Sequence, residues 1–297
     1  KISCRWRTSN KILPNKLIPM KNICYLLLLV SLVSCSSEKE NLKIMTYNIR
    51  YDNPNDGENQ WPKRKEFLSN QIAYNEVDIF GVQEGLHHQV TYLDSVFVDY
   101  NYIGIGRDDG KTKGEYSAIF YNSNKFKVIK DNTFWLSETP NKISVGWDAS
   151  MERICTYGLF ETIATKQQFF VFNTHFDHIG TAARFNSAEL ILQKINELNL
   201  DNLPVLVMGD FNLAPETEPI QVLSKELNDS KNISKLKPFG PKGTFNGFKF
   251  NEPVTARIDY IFTSKNNISV KKYAVLSDSK DCKYPSDHLP VFVEIEF

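Results

Sequence analysis

The chain has 297 residues with 35 basic and 35 acidic side chains, so its formal net charge is zero, and 41% of its residues are hydrophobic. That length and apolar content suit one large α/β domain with a substantial core and exclude a disordered chain. Three of the five cysteines lie within residues 1–35, and the two that remain, Cys155 and Cys282, could pair but do not make a disulfide scaffold. The sequence has no CxxC pair and no cysteine cluster that would bind zinc.

The amino-terminal segment carries the features of a bacterial export signal. Lys21 and Asn22 precede the apolar run ICYLLLLVSLVS, which is shorter than the roughly 20 apolar residues that a membrane-spanning helix needs. The sequence LVSC at 32–35 resembles a lipobox, so we expect a lipoprotein signal peptide at 20–34 and a lipid on Cys35. A buried hydrophobic helix is the alternative interpretation of this run.

That interpretation assigns the remaining amino-terminal residues as well. Residues 35–41 become a short tether, and residues 1–19 become an upstream extension that is not native to the protein. We therefore expect a lipoprotein anchored to a membrane of the cell envelope, on the extracytoplasmic side. The segment 1–34 holds six of the 35 basic residues and no acidic one, which leaves 29 basic against 35 acidic residues. This balance weighs against binding of nucleic acid through bulk charge.

The rest of the chain, 42–297, predicts one catalytic domain built from strands and helices. In chain order we expect strand 42–49, helix 61–77, strands 78–84, 102–105, 116–121, 126–130, 154–163 and 167–176, helix 182–198, strand 205–210, helix 217–227, a lysine-rich loop to 243, and strands 256–264, 268–276 and 290–297. Strands interleaved with helices and hairpin-like stretches indicate a mixed sheet or two packed sheets.

Polar side chains suited to phosphate or metal chemistry lie at or beside the ends of six of these strands. They are Asn48, Glu84, His175, Asp210 with Asn212, Asp259, and Asp287 with His288. Side chains gathered at strand ends on one rim of a sheet form the usual site of α/β proteins. Asp210 and Asn212 lie two residues apart, so both would point to one side of an extended chain. An Asx turn is the alternative at this position.

The ordered motifs TYNIR, VQE, NTHFDH, GDFN, RIDYIF and SDHLPV resemble those of the endonuclease/exonuclease/phosphatase superfamily over about 42–297. That superfamily includes DNase I-like nucleases, abasic-site endonucleases, deadenylases, inositol polyphosphate phosphatases and sphingomyelinases. The resemblance implies a DNase I-like four-layer α/β sandwich, in which two packed mixed β-sheets are flanked by helices. It also implies a divalent-metal site and hydrolysis of a phosphoester.

The resemblance assigns catalytic roles to five of the strand-end residues. Asp210 corresponds to the carboxylate that activates water, and Asn212 to the amide that orients water or phosphate. His175 and His288 would donate hydrogen bonds to phosphoryl oxygens as charge develops there. Asp259 would orient His288 and raise its pKa. For each residue alone, a cap, a turn or a buried polar contact is the alternative.

Three further residues are metal-ligand candidates. Glu84, Asn48 and Asp287 offer hard oxygen ligands, which suit Mg²⁺ or Mn²⁺ better than zinc. A metal on a non-bridging phosphate oxygen would neutralise charge that repels the nucleophile. We therefore expect Mg²⁺, or Mn²⁺, as the cofactor.

Substrate contacts are expected from two further segments. Arg107 lies on a glycine-rich loop before a strand, where it suits phosphate binding or is simply a solvated charge. Tyr116 and its neighbour Glu115 are candidates for the cleft. Residues 134–160 resemble a segment of deadenylase-like and related bacterial members, in which Arg153 could form a cationic wall.

Arg184 is the fourth substrate-binding candidate. It follows GTAA at the predicted start of the helix 182–198, where a guanidinium could face phosphate. A surface arginine is an equally good explanation of the same position.

Other hydrolase classes lack their motifs, since the sequence has no GxSxG elbow, no HExxH and no P-loop. We expect a monomeric, metal-dependent phosphoesterase that acts on a phosphodiester or phosphomonoester, such as a nucleotide, a nucleic acid or a small phosphoester. A noncatalytic ligand-binding surface lipoprotein is the alternative from another class. A sphingomyelinase or inositol-phosphatase activity is the alternative among enzymes, although we recognise no exposed apolar hairpin for membrane contact.

Overall fold

In the computed structural model, residues 41–297 form two β-sheets with helices packed against them. The predicted signal peptide, the lipid attachment site at Cys35 and nearly all of the tether lie outside the described residues. Among residues 41–297, no helix combines the length and the apolar character needed to cross a bilayer.

Twelve strands and five α-helices make up the described part of the chain. The strands are β1 (Leu42–Asn48), β2 (Ile79–Gln83), β3 (Tyr100–Ile103), β4 (Ile119–Asn122), β5 (Phe126–Trp135), β6 (Ile154–Thr162), β7 (Gln168–His175), β8 (Val205–Asp210), β9 (Leu227–Asp229), β10 (Asp259–Ser264), β11 (Ser269–Val275) and β12 (Val291–Glu296). The helices are α1 (Trp61–Tyr74), α2 (His87–Val96), α3 (Thr181–Leu198), α4 (Glu218–Glu226) and α5 (Ser230–Ile233), with a 3₁₀ segment at Pro54–Asn59.

The two sheets have six strands each and the same internal plan. The strand order is β11-β12-β1-β2-β4-β3 in the first sheet and β5-β6-β7-β8-β10-β9 in the second sheet. Each sheet contains one parallel pair, β1 with β2 and β7 with β8, among antiparallel neighbours. Parallel neighbours need a crossover connection, which α1 and α3 supply. The expectation of two packed mixed sheets flanked by helices is confirmed.

The register of the parallel pairs explains why polar residues gather at one place. Asn48 pairs with Gln83 at the end of β1 and β2, so Glu84 follows immediately beside Asn48. His175 pairs with Asp210 at the end of β7 and β8. The carboxyl ends of parallel neighbours meet at one sheet edge. The first sheet therefore contributes Asn48 and Glu84 at the carboxyl ends of its parallel pair, and the second sheet contributes His175 and Asp210.

Three apolar layers hold the sandwich together, one between the sheets and one under the helices of each sheet. Alternate residues of a strand enter different layers: Leu206 and Met208 of β8 pack between the sheets, whereas Val205 and Val207 pack toward α3 and α4. Both faces of β8 are thus buried, which accounts for its continuous apolar sequence.

A buried polar link crosses the layer between the two sheets. Asn173 of β7 donates from Nδ2 to the carbonyls of Val82 (3.0 Å) and Ala118 (2.8 Å). Its Oδ1 accepts a hydrogen bond of 2.6 Å from Nε2 of Gln83. The link therefore fixes the sheets against each other two residues before His175.

Gly209 lies inside β8, where only glycine fits. Its φ is +150°, and an added Cβ would lie 2.0 Å from the carbonyl oxygen of Thr174. Strand β8 continues past Gly209 to Asp210. The glycine allows β7 and β8 to approach closely beside the site.

Several elements differ from the sequence expectation because tertiary contacts decide them. The helix α2 was not expected, and the lysine-rich loop contains the short elements β9 and α5. Strand β5 extends to Trp135 because its partner β6 pairs with it along its full length. Cys155 is buried in β6 and Cys282 is exposed, and both thiols are free.

Candidate active site

Asp210, the last residue of β8, is the buried carboxylate at the centre of the site. Its Oδ1 accepts a hydrogen bond of 2.9 Å from the backbone N–H of Asn212, which is the Asx-turn geometry that the sequence left open. Burial, followed by the charge of Asp259, raises the pKa of Asp210 to about 7. A general base works best with a pKa near the working pH. The turn and a chemical role are therefore compatible at this residue.

His288 and Asp259 form a buried pair next to Asp210. Asp259 begins β10, directly opposite Asp210 in the register of the second sheet, whereas His288 precedes β12 of the first sheet. Nδ1 of His288 lies 2.9 Å from Oδ2 of Asp259, and its Nε2 lies 3.7 Å from Oδ2 of Asp210. The pairing with Asp259 directs Nε2 of the ring toward Asp210.

His175 approaches the same carboxylate from the end of β7. Its Nε2 lies 3.6 Å from Oδ2 of Asp210 and 3.1 Å from Nδ2 of Asn212. Because the amide Nδ2 donates to Nε2, a neutral His175 carries its proton on Nδ1. That Nδ1 is buried and has no hydrogen-bond partner, and it lies 3.7 Å from Oε2 of Glu115.

The two histidines are shifted in opposite directions. Burial lowers the pKa of His175 well below its ordinary value, and the charge of Arg153 lowers it further. Burial also acts to lower the pKa of His288, but the carboxylates of Asp259 and Asp210 outweigh it and hold that pKa well above its ordinary value. The site thus combines a neutral imidazole with an imidazolium, which is the arrangement expected where acid and base roles are divided.

Asn48 connects the carboxylates of the two sheets. Its Nδ2 donates to Oε1 of Glu84 and to Oδ2 of Asp210, both at 2.9 Å. Its Oδ1 accepts from the backbone N–H of Arg50 at 3.0 Å. Both ends of the Asn48 amide are therefore engaged within the protein, so in this arrangement Asn48 positions Glu84 and Asp210 instead of presenting a free oxygen.

The donor chemistry beside Glu84 fits a divalent cation with oxygen ligands. One donor atom from each of Glu84, Asp210 and His288 lies within 4.8 Å of the other two. Asp287 lines the same cavity, and burial raises its pKa, with the nearby charge of Glu84 acting in the same direction. Carboxylates that repel one another are stabilised by a bound cation.

Three of the eleven residues other than glycine that have a positive φ in residues 41–297 lie at this edge of the sheets. Arg50, Glu84 and Asn212 have φ values of 55°, 63° and 52°, in the left-handed region that residues other than glycine rarely adopt. Each follows the end of a strand that contributes to the site. Such strain persists where the surrounding contacts enforce it, and it clusters at functional sites.

These residues line one cavity of about 570 Å³. Its lining combines residues from both sheets with loop residues, namely Arg50, Tyr51, Glu84, Arg107, Glu115, Met151, Arg153, His175, His178, Asp210, Asn212, Phe245, Ile258, Asp287 and His288. Asn48 and Asp259 lie directly behind this lining, where they contact Asp210 and His288.

The family model for the endonuclease/exonuclease/phosphatase family matches residues 45–288. The chain belongs to this family. The match includes every residue that lines the cavity, and it confirms the family expected from the six ordered motifs.

Solved structures of the family resemble the chain over most of its length. The mannosyl-6-phosphatase of Bacteroides thetaiotaomicron VPI-5482 is 41% identical with a TM-score of 0.83, and the alignment covers 86% of this chain and 100% of that chain. An endonuclease/exonuclease/phosphatase family protein of Bacteroides thetaiotaomicron is 40% identical with a TM-score of 0.84, covering 88% of this chain and 99% of that chain.

A more distant relative is a eukaryotic member. The chain is 27% identical over 215 residues to the probable RNA exonuclease NGL3 of Saccharomyces cerevisiae, covering 65% of this chain and 42% of that protein. The chain spans about half the length of the curated relatives it matches.

Two of the four substrate-binding candidates of this family member line the cavity, and two do not. Arg107 and Arg153 line it, as does Glu115. Tyr116 is buried outside the lining, where its hydroxyl donates to the carbonyl of Lys111. Arg184, on α3, lies outside the lining as well, with Nη1 3.5 Å from the carbonyl oxygen of Asp177. Arg184 therefore contacts the backbone at Asp177 instead of lining the cavity.

Sequence reasoning missed Arg50 and His178, two polar residues of the lining. Arg50 lies 3.8 Å from Oδ2 of Asp287 and 3.9 Å from Oε2 of Glu84, while it pairs with Asp56 at 2.9 Å. His178 contacts Arg153 at 3.0 Å. Both residues belong to motifs that carried the family resemblance, TYNIR and NTHFDH. Membership of those motifs was the signal that could have identified them.

Proposed function

We propose that the chain is a metal-dependent phosphoesterase that hydrolyses the phosphomonoester of a small polar alcohol, with a sugar phosphate as the first candidate. The observation that carries this proposal is the position of Asp210. Its Oδ2 lies within 3.7 Å of both His175 and His288 and receives a hydrogen bond from Asn48. A base, two phosphate-binding imidazoles and a metal-ligand cluster therefore share one cavity.

Asp210 is the group that activates water in this proposal. Its carboxylate accepts a proton as the water oxygen bonds to phosphorus. The P–O bond to the alcohol breaks, and the departing oxygen takes up a proton from solvent to leave as the alcohol. Asn48 and the backbone of Asn212 hold the Asp210 carboxylate with one hydrogen bond each. This fixed orientation reduces the entropy lost on reaching the transition state.

The two imidazoles stabilise the charge that develops on the phosphoryl oxygens. His288, held by Asp259, donates from Nε2, and the neutral His175 donates from Nδ1. Donors that are oriented before the reaction stabilise a transition state more effectively than water does.

Glu84 and Asp287 are the residues that would hold the cation, with Asn48 fixing the orientation of Glu84. The backbone N–H of Tyr51 holds the second oxygen of Glu84 at 3.1 Å. When bound, a divalent cation supplies charge neutralisation at a non-bridging phosphate oxygen.

The size and lining of the cavity favour a small polar substrate. Its volume of about 570 Å³ lies within the range of roughly 300–1,000 Å³ that small-molecule sites occupy. Ten of its fifteen lining residues are arginine, glutamate, aspartate or histidine. The 41% identical relative named as a mannosyl-6-phosphatase supports a sugar phosphate.

A nucleotide or short RNA is the second candidate substrate. Phe245 is 42% exposed and lies edge-on to the His288 ring at 5.1 Å, and Tyr51 also lines the cavity. Such rings offer stacking surfaces for a base. The distant relative named as a probable RNA exonuclease agrees with this alternative.

The location of the enzyme is a proposal from the sequence. The basic residue, apolar run and LVSC motif at 21–35 support export and lipid attachment at Cys35. Globomycin treatment of cells should then cause the unprocessed precursor to accumulate. An unchanged apparent mass and a cytoplasmic protein would contradict the proposal.

Phosphate release from a defined panel tests the proposed function. Protein lacking residues 1–35 is incubated with mannose 6-phosphate, a nucleoside monophosphate, bis-p-nitrophenyl phosphate and RNA, with Mg²⁺, Mn²⁺ or chelator. Metal-dependent turnover of the sugar phosphate is the expected result. Cleavage of RNA alone would favour the nuclease. No turnover, with no ion binding by calorimetry, would favour the noncatalytic binding protein.

A further inference from the structure

One side of the cavity carries charged groups that the phosphate chemistry above does not use. It consists of Arg107, Glu115, Arg153 and His178, which we call the guanidinium wall. Both arginines are buried or nearly so, and their charges are paired inside the protein. Burying an arginine raises the free energy of the folded protein unless its N–H donors have hydrogen-bond partners.

Arg153 is 4% exposed and has a free donor in the cavity lining. Its Nε lies 3.4 Å from Oδ2 of Asp177, and its Nη2 lies 3.0 Å from Nδ1 of His178. Its Nη1 is buried without a hydrogen-bond partner. Leaving a buried guanidinium N–H unsatisfied is unfavourable, so this nitrogen points to a ligand that completes it.

Arg107 and His175 provide the same feature beside Arg153. Arg107 forms two hydrogen bonds to the carboxylate of Glu115, of 2.7 and 3.0 Å. Its Nε is buried without a hydrogen-bond partner and lies 3.6 Å from Oδ1 of Asp108. Nδ1 of His175 is likewise buried without one, at 3.7 Å from Glu115. The two guanidinium nitrogens thus belong to neighbouring residues of one cavity, whereas Nδ1 of His175 is the donor assigned above to the phosphoryl group.

The charges of the wall indicate what kind of group binds there. Arg107 pairs with Glu115, and Arg153 pairs with Asp177, so the formal charges cancel. A second phosphate would need an excess of positive charge. A hydroxyl group both donates and accepts hydrogen bonds, so it suits guanidinium donors that alternate with a carboxylate acceptor.

The wall is held rigidly from behind. Asp177 accepts hydrogen bonds from the backbone N–H groups of Ser150, Ile179 and Gly180, of 3.0, 2.8 and 2.7 Å, and another from the Ser150 hydroxyl. Arg153 is therefore fixed before any ligand arrives. Groups that are fixed in advance lose little entropy on binding and discriminate between ligands more sharply.

We propose that the guanidinium wall binds the hydroxyl groups of the substrate's alcohol portion, so that Arg153 and Arg107 determine specificity for a polyhydroxylated, sugar-like leaving group. This inference rests on the proposed phosphoesterase function and names the residues that select its substrate. A nucleobase would instead be recognised at the aromatic side chains of the same cavity.

The experiment compares two phosphomonoesters that differ only in the hydroxyl groups offered to the wall. Specificity constants are measured for mannose 6-phosphate and ethyl phosphate, with Arg153→Met and Arg107→Gln. We expect each substitution to reduce the preference for mannose 6-phosphate about tenfold or more, because a site built for hydroxyls gains little from a substrate without them. Loss of both activities in equal proportion, or an unchanged preference, would overturn the inference.

Arg257→Met is the matched control. Arg257 is a buried arginine that forms two hydrogen bonds with Asp229, of 2.7 and 2.6 Å, and it lines a different cavity. Its loss should lower stability without changing the preference between the two substrates. Thermal melting of all variants separates loss of folding from loss of recognition, and Arg107→Gln provides the answer if Arg153→Met fails to fold.

Direct binding distinguishes failure of this inference from failure of the proposed function. Calorimetry with the Asp210→Asn variant measures affinity for mannose 6-phosphate and ethyl phosphate without turnover, alone and combined with Arg107→Gln. Tighter binding of mannose 6-phosphate that depends on Arg107 supports the wall even if the wild type hydrolyses neither ester. Equal affinity for the two esters would overturn the inference. Mannose 1,6-bisphosphate is titrated as well, and an Arg107-dependent increase in affinity seen only with this ligand would also overturn it, because the wall would then bind a second phosphate.

Discussion

His175 and His288 approach the same oxygen of Asp210, at 3.6 and 3.7 Å, although they belong to different sheets. Burial acts to lower the pKa of both histidines, and the charge of Arg153 lowers that of His175 further. At His288 the carboxylates of Asp259 and Asp210 outweigh burial and raise the pKa. One carboxylate is therefore flanked by a neutral and a charged imidazole, an arrangement that separates acid and base roles.

The first prediction concerns the central carboxylate. Asp210→Asn keeps the shape of the side chain but removes its capacity to accept a proton, so we expect kcat to fall by about 10³-fold or more. Circular dichroism and thermal melting should show a folded protein. Asp131→Asn, at an exposed position of β5, should keep full activity. Substantial turnover by Asp210→Asn would exclude Asp210 as the base.

The second prediction concerns the cation. Glu84→Gln should weaken the apparent affinity for Mg²⁺ by at least about tenfold, because it removes a charged oxygen ligand. The measurement is activity as a function of Mg²⁺ concentration, together with calorimetric titration of the ion. Glu66→Gln, at an exposed position of α1, is the matched control and should titrate like the wild type. Identical Mg²⁺ curves for both variants would place the ion elsewhere.

The third prediction concerns the polar link between the sheets. Asn173→Leu removes the three hydrogen bonds that the amide makes with Gln83, Val82 and Ala118. Gln83 keeps its bond to Thr46, and the Ala118 carbonyl keeps its bond from the backbone N–H of Val82. We expect the free energy of unfolding to fall by about 3 kcal/mol or more, as measured by urea denaturation. Asn196→Leu, at an exposed position of α3, should change stability little. If the two variants were equally stable, the link would contribute nothing.

The fourth prediction concerns pH and Asp177. Burial acts to raise the pKa of Asp177, but hydrogen bonds from Ser150 and from the backbone of Gly180 and Ile179 outweigh it and hold the pKa below its ordinary value of 3.8. The folded state therefore favours the ionised carboxylate. Its contribution to stability is fully present above about pH 4 and is lost as the pH falls toward the folded-state pKa.

Urea denaturation at several pH values checks this. Asp177→Asn should lower the free energy of unfolding by about 3 kcal/mol at pH 7, because Arg153 loses its buried partner. The difference from the wild type should shrink below pH 3.8. Asp94→Asn, at an exposed position of α2, should match the wild type at neutral pH. A difference that stayed constant with pH would argue against the ionised form as the stabilising one.

The strand ends were predictable from the sequence because a buried strand is a continuous run of apolar residues. Apolar runs such as VLVMG end at polar residues, and parallel neighbours bring those ends together. Glu84, Asp210 and His288 could therefore be assigned to one site before the fold was known. The order of the motifs was enough to indicate the family, which the family model confirms.

The loop residues were less predictable because spacing along the chain does not encode their direction. Tyr116 and Arg153 were both predicted to bind substrate. Tyr116 lies outside the cavity lining, where its hydroxyl donates a hydrogen bond to the carbonyl of Lys111. Arg153 lies in the lining because Asp177, 24 positions later in the chain, fixes its guanidinium. Contacts between distant segments decide such positions.

Apolar periodicity by itself indicated strands that end at polar residues, because periodicity is a local property of the chain. The ordered motifs indicated the family, and through that resemblance the sandwich. Only the tertiary structure decided that Asn48 holds Glu84 and Asp210 together, and that the two histidines differ in charge. Hydrogen bonds between the sheets and the pKa values of buried groups depend on distances between residues far apart in sequence. Those distances exist only once both sheets are packed.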